Sequence, residues 1–245
     1  MEIGTSRQTR FINKLLDEDT KLEIDLIVKE AASYEYEKPT SNNEFSDSLS
    51  EEERMTIRSY TGYNFKRINA ILRNNWNYDE HGARTPELEE RYKVDIVMMD
   101  KIFKKNPNTK NAFIAYRGTD LDEFKKYGIN SLEDLINLKG KLLYESAYTS
   151  TSISKESSYF NKEIFNKIKN IEVKYIIPPN SNDGIYLGNR DLSYSTNQEE
   201  YILNKATLSK VIDVKVNGET AEITAILIPK KIWEKNNNKE KNNVK

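Results

Sequence analysis

The hydrophobic period of this chain changes once, near Asn111, and that change constrains the fold more than any other feature. Before it the apolar residues recur at helical spacing. Phe11, Leu15, Leu16, Leu22, Ile24, Ile27 and Val28 predict helix within residues 8–35. Tyr36 to Ser48, with Pro39 and several Ser and Asn, reads as a loop. Ser50 followed by Glu53 predicts a capping box, in which the hydroxyl serves an early amide and the carboxylate reaches back. A helix should run from there to about Tyr60. A second should run from Tyr63 to Arg73, with Phe65, Ile68, Asn69 and Leu72 near one face, and a third from about Glu87 to Lys104.

After Asn111 the runs are short and apolar. Ala112 to Arg117, ended by Gly118, suits a buried strand. Residues 121–128 and 131–138 read as short helices or turns, Tyr144 to Ile153 as one strand, and 155–168 as mixed with a helical option. Ile171 to Ile177, Gly184 to Leu187, Tyr201 to Leu203, Lys210 to Val216 and Ala221 to Ile228 complete the strands, with Asn217-Gly218 as a hairpin turn. Helices first and strands second predict an α+β fold, helices packed on largely antiparallel sheets. No Gly-x-Gly and no Gly-Lys-Ser/Thr occurs, so Rossmann and P-loop nucleotide sites are unsupported.

Composition narrows the chemistry. Lys+Arg 38 nearly cancels Asp+Glu 39 in 245 residues, which argues against broad electrostatic binding of nucleic acid. No apolar run approaches the roughly 18 residues of a membrane-spanning helix, and the N-terminus shows no apolar signal core. Cysteine is absent, which removes disulfides, thiolate catalysis and cysteine zinc sites. His81 is the only histidine, without metal-ligand spacing around it, and reads as a surface loop residue beside Gly82. Any chemistry therefore falls to carboxylates, amides, hydroxyls and arginines.

Three polar features sit on predicted strands. Arg117 closes the first strand, and its charge needs a partner: an anionic ligand such as a phosphate, or a carboxylate of the protein itself. Ser150 and Ser152 share one strand face, and a buried hydroxyl there needs a hydrogen-bond partner. Gln198 and Glu200 would share a face at the mouth of a later strand, with Glu199 turned away. Taken alone, that last stretch could be a hydrated strand edge.

In order and spacing these features resemble the signature of bacterial mono-ADP-ribosyltransferase toxins of the Arg/Ser/Glu class, most like the C3-like exoenzymes. Leu49 to Glu53, Tyr60-Thr61, Ile68-Asn69 and Leu72-Arg73 are similar to that family's first helical motif. Tyr116-Arg117-Gly118-Thr119-Asp120 is similar to the segment around its arginine. Tyr186-Leu187, a loop, and Gln198 to Leu203 resemble its toxin turn-turn loop and catalytic strand. The resemblance spans about residues 49–228. It implies a fold with N-terminal helices on two largely antiparallel sheets around an NAD cleft, with residues 1–48 a helical extension, 49–233 the catalytic domain and 234–245 a disordered Lys/Asn-rich tail.

The resemblance also implies roles. Glu200 would stabilise the cation formed when the nicotinamide–ribose bond breaks, and Ser150 would orient it. Arg117 and Arg73 would hold the pyrophosphate. Tyr60, Asn69 and Gly118 would complete the NAD site, with the Gly118 backbone beside the nicotinamide amide. Gln198 would meet an asparagine acceptor and Tyr194 the target protein, a Rho-type small GTPase. NAD would be the substrate and no metal is implied. The expected protein is a secreted monomer, with no membrane span and no nucleic-acid partner, acting in the host cytosol. Lys162 stands near the place of a phosphate-binding arginine of the family. The loop between Tyr194 and Gln198 is a residue longer than the C3-like pattern. An arginine- or actin-directed transferase, an NAD glycohydrolase and a non-catalytic binding module are the alternatives. Gln198 rather than Glu weighs against the first, and the trio Arg117, Ser150 and Glu200 against the last.

Overall fold

The computed structural model describes residues 16–40, 43–164, 167–188, 192–193 and 199–234. Gln198 and Tyr194, residues 1–15 and the tail beyond Glu234 lie outside the described residues.

The helical half starts with α1 (Glu18–Glu30), capped by the Asp17 carboxylate, which accepts from Thr20 N at 2.8 Å. The loop expected over Tyr36 to Ser48 contains one short helix, α2 (Asn43–Asp47). The capping box is present: Ser50 N donates to Glu53 Oε2 at 2.7 Å, and Glu53 N to Ser50 Oγ at 3.2 Å. It opens α3 (Glu51–Ser59). The break expected near residue 61 is absent. A π-helical turn, Tyr60–Asn64, carries α3 straight into α4 (Phe65–Arg73), which ends on left-handed Asn74. A single extra residue in a helix lets both flanking stretches keep their apolar faces on one core. Ile57 and Ile68, on either side of the turn, are both fully buried. The short α5 (Tyr78–His81) and the long α6 (Pro86–Lys105) follow. His81 is a buried helix end rather than a surface loop residue, its Nδ1 against the Asn77 backbone and its ring beside Trp76.

The strand half is one eight-stranded ladder in the order β2-β9-β10-β6-β1-β3-β8-β7. Its members are β1 (Phe113–Thr119), β2 (Leu142–Glu145), β3 (Thr149–Ser152), β6 (Ile171–Ile177), β7 (Gly184–Gly188), β8 (Glu200–Leu203), β9 (Thr207–Asn217) and β10 (Thr220–Ile228). β4 (Glu163–Ile164) and β5 (Lys167–Ile168) form a separate small hairpin. Pairing is antiparallel except between β6 and β10. The ladder is nearly two sheets, because β1 and β3 pair at a single register position, Tyr116↔Ser152. Helices α3, α4 and α6 share a core with Tyr148, Ile185 and Ile202 on one side of that junction. The 3₁₀ segments Leu121–Tyr127 and Glu133–Leu138 cover β6, β9 and β10 on the other. Ile24 of α1 packs with Ile226, Ile228 and Trp233, the last in helix α7 (Lys230–Trp233).

Two strand expectations differ from the structure. The run Tyr144 to Ile153 is two strands at distant places in the sheet, β2 at its edge against β9 and β3 between β1 and β8. The chain turns at Ser146–Tyr148, where the Glu145 carboxylate accepts from Ala147 N at 2.9 Å and the Ala147 and Tyr148 side chains are fully buried. Gly118 does not end β1, which continues to Thr119. A glycine is needed there because a Cβ would collide with the Tyr159 and Phe160 backbone in the loop above.

Candidate active site

The β1–β3–β8 junction brings Arg117, Ser150 and Glu200 together. β3 and β8 pair with Ser152 opposite Glu200 and Ser150 opposite Ile202, so Ser150 sits diagonally to Glu200 on its face. The Ser150 hydroxyl faces the Glu200 carboxylate closely enough to favour its charged form. Thr151 points the other way and donates to Tyr201 O at 2.6 Å. Glu200 is 5% exposed. Burial lifts its carboxyl to about 7, against hydrogen bonds from Ser150 and Ser193 that favour the charged form.

Glu200 opens β8, and the residue before it departs from strand geometry. Glu199 has φ 43°, in the left-handed region. Strand geometry therefore begins only at Glu200, and Gln198, expected to share its face, lies outside the described residues. The Glu199 side chain is partly exposed and reaches Lys38 at 3.5 Å.

Arg117 lies across the junction from β1. Its Nε and Nη2 donate to Glu123 Oε2 at 3.3 and 3.1 Å, and its Nη1 donates to the Ser150 carbonyl at 2.9 Å. Thr119 Oγ1 donates to the same Glu123 oxygen at 2.6 Å. A guanidinium carries five N–H bonds, so Arg117 keeps one on each terminal nitrogen beyond those used by the described residues. Burial works against both charges of the pair, but their attraction prevails. Glu123 falls to about 2, with Arg117 the leading opposing cause, and the Arg117 pKa rises. Arg73, the last residue of α4, donates through Nε to Glu145 at 3.0 Å, and Lys126 meets the other oxygen of Glu145 at 3.0 Å. A cavity of about 30 Å³ beside these pairs is lined by Glu123, Lys126, Tyr127, Glu145 and Tyr175 together with Phe124, Leu143, Leu203 and Leu227.

Tyr60 and Asn69 stand behind Ser150. Tyr60 is fully buried, its hydroxyl receives a hydrogen bond from Asn69 Nδ2 at 3.3 Å and meets Ser150, and burial pushes its pKa up to about 12. Asn69 also donates to Tyr148 O at 3.1 Å, and its buried Oδ1 has no partner among the described residues. The π-helical turn aims Tyr60 and Asn69 at one point from its two sides.

Gly118 lies under the loop between β3 and β4. Its N–H donates to Ser158 O at 2.5 Å. Tyr159 of that loop stands close enough to Glu200 to feel its charge. Lys162 donates to Glu156 O at 3.0 Å and lies over the Tyr159 ring, 5.7 Å from its centroid. Sequence reasoning missed Glu123 and Ser193. Glu123 follows Arg117 by six residues, as one of many acidic residues in a helical stretch. Ser193 donates to Glu200 Oε2 at 3.1 Å from a polar loop, with no local pattern to single it out. Among the described residues no cluster of three or more His, Asp or Glu side chains is placed to hold a metal ion.

Solved structures share this architecture. The Clostridium limosum C3 exoenzyme is similar with a TM-score of 0.59 at 22% identity, over 80% of this chain and 98% of that one. The structure of C3stau2 from S. aureus with NAD has a TM-score of 0.58 at 19% identity, over 80% and 99%. Plx2a, an ADP-ribosyltransferase toxin from Paenibacillus larvae, has 0.58 at 24%, over 84% and 96%. The class is thus that of the ADP-ribosyltransferase toxin fold. A family model described as ADP-ribosyltransferase exoenzyme matches residues 36–240, and the chain belongs to that family. It is an NAD-dependent mono-ADP-ribosyltransferase. A search of curated proteins gave no match. No helix among the described residues is long and apolar enough to cross a membrane.

Proposed function

We propose that the junction of β1, β3 and β8 cleaves NAD and passes its ADP-ribose to an asparagine of a Rho-type small GTPase. The observation that carries this is Glu200, a buried carboxylate held by the Ser150 hydroxyl, with Arg117 bound to the backbone of that same serine. The C1′–N1 bond of NAD breaks and its electron pair leaves with nicotinamide. The ribose is left with oxocarbenium character, as in glycoside cleavage. A fixed carboxylate stabilises that cation, and preorganised charge of this kind is a large catalytic contribution. The acceptor nitrogen then bonds to C1′ and releases a proton.

The free N–H bonds of Arg117, with Arg73 on α4, suit the pyrophosphate, since a guanidinium fork matches paired oxygens. Tyr60 and Asn69 support Ser150 from behind, and Asn69 Oδ1, which has no partner among the described residues, suits a donor such as a ribose hydroxyl. Gly118 can pair with the nicotinamide amide once Ser158 releases its N–H. Gln198 and Tyr194 carry acceptor choice, because an amide matches a neutral carboxamide. The protein acts as a secreted effector inside a host cell.

The test is incubation with labelled NAD and a purified Rho-type GTPase, followed by mass spectrometry of the labelled band. Label on an asparagine, lost with Glu200→Gln, is the expected result. Label on arginine or on actin would overturn the acceptor, and free nicotinamide without labelled protein would make the enzyme a glycohydrolase. Unchanged NAD turnover in Glu200→Gln would sink the proposal altogether.

A further inference from the structure

We infer that Ser193 is a positioning residue, whose hydroxyl fastens the link between β7 and β8 to the Glu200 carboxylate and holds that carboxylate in place for NAD cleavage. The inference rests on the role proposed above for Glu200.

Glu200 receives hydroxyls from two directions. Ser150 comes from the neighbouring strand β3, while Ser193 comes from the link that precedes β8 itself. Ser193 is 3% exposed. Its position is set by its neighbour Leu192, which is buried in the core cluster that holds Tyr60, Tyr148 and Ile202. The link is also fixed at both ends. Gly188, with φ 62°, pairs with Glu200, and Glu199 re-enters at φ 43°. Leu192 and Ser193 thus make a third tether between those ends, one apolar and one polar. Tyr194, expected to meet the target protein, is the next residue in the chain.

The chemistry follows from hydrogen-bond direction. A hydroxyl that donates to a carboxylate favours its charged form. Burial pushes Glu200 the other way, up to about 7, so each hydroxyl matters to the fraction ionised near neutral pH. The titratable groups facing Glu200 are Tyr60 from the π-helical turn and Tyr159 from the loop over Gly118, and burial raises both phenols. Across the junction Arg117 stays charged, and Glu123 titrates at about 2. Lys38 meets Glu199 on the outer side. Glu200 is therefore the group that changes charge between pH 6 and 8 in this set.

The experiment uses the full chain with Ser193→Ala and Ser193→Thr. The Glu200 carboxyl titration is followed by carbon-13 NMR and identified by its loss in Glu200→Gln. NAD hydrolysis without acceptor is measured against pH in parallel. In Ser193→Ala the Glu200 titration and the acid limb of kcat should both move up by about one pH unit. At pH 6 kcat should fall about tenfold, with KM for NAD within about twofold. Ser193→Thr, which keeps the hydroxyl, should restore both. An unmoved titration in folded Ser193→Ala, or a loss of rate that is uniform across pH, would overturn the inference. Full turnover in Glu200→Gln would instead remove the proposed role of Glu200, and the titration would still report separately on the hydrogen bond.

Discussion

Glu200 is buried and Glu123 half-buried, on the two sides of the β1–β3 junction, and their surroundings drive them in opposite directions. Glu123 accepts from Arg117 and Thr119 and is held down at about 2, so its contribution to stability is present above its unfolded pKa and lost as pH falls towards 2. Glu200 has hydroxyls for partners, and burial raises it to about 7. An unfolded chain would ionise Glu200 near its ordinary 4.5, while the folded protein holds the proton until about 7. Stability therefore declines as pH rises between those values, by an amount on the order of 3 kcal/mol. Glu200→Gln carries no charge to bury. Urea denaturation should show it close to wild type at pH 4.5 and the more stable of the two at pH 8. Equal stability at both pH values would mean that Glu200 is not buried as described. The same substitution should cost about 10²–10³-fold in kcat for NAD cleavage, so stability and activity should part in opposite directions.

At the scale of elements, the π-helical turn Tyr60–Asn64 links sequence register to site geometry. Removing one residue from it would restore α-helical spacing and rotate α3 against α4 by about 100°. Ile57 and Ile68 could then not both face the core, and Tyr60 would leave Asn69. Tyr63 is 76% exposed, which separates the two effects. Tyr63→Ala should change stability by less than about 1 kcal/mol. Deletion of Tyr63 should cost several kcal/mol in chemical denaturation and remove NAD cleavage. Similar values for the two variants would show that the turn is dispensable. This element was half legible in the sequence. Ser50 and Glu53 announce the helix start because capping is local chemistry. The continuation past Tyr60 is not announced, since a π turn interrupts the 3.6 period and reads as a break. Likewise Tyr144 to Ile153 has strand character throughout, and only the buried turn at Ala147, a tertiary feature, divides it.

At the scale of the molecule, the class of fold was legible because the order of periods, helical then extended, is a property of the whole chain. The meeting of Arg117, Ser150 and Glu200 was legible only through resemblance, because they lie 33 and 50 residues apart in sequence and meet where β1 touches β3. Glu123 and Ser193 were illegible for the same reason: their partners are set by packing. The single Tyr116↔Ser152 pair has a mechanical consequence. Backbone hydrogen bonds make a sheet stiff, and here they nearly vanish between its halves. Side chains bridge the gap instead, Phe113 against Tyr201 at 4.9 Å and Arg117 onto the Ser150 carbonyl. The angle between the halves is thus an elastic coordinate, and the proposed NAD site at the β1–β3–β8 junction lies on its hinge. The absence of cysteine lets spin labels be placed without background at Lys215 on β9 and Lys101 on α6. The distance distribution between them should narrow when NAD binds and broaden in Arg117→Lys, whereas one narrow, invariant distance would mean that the halves move as a rigid plate.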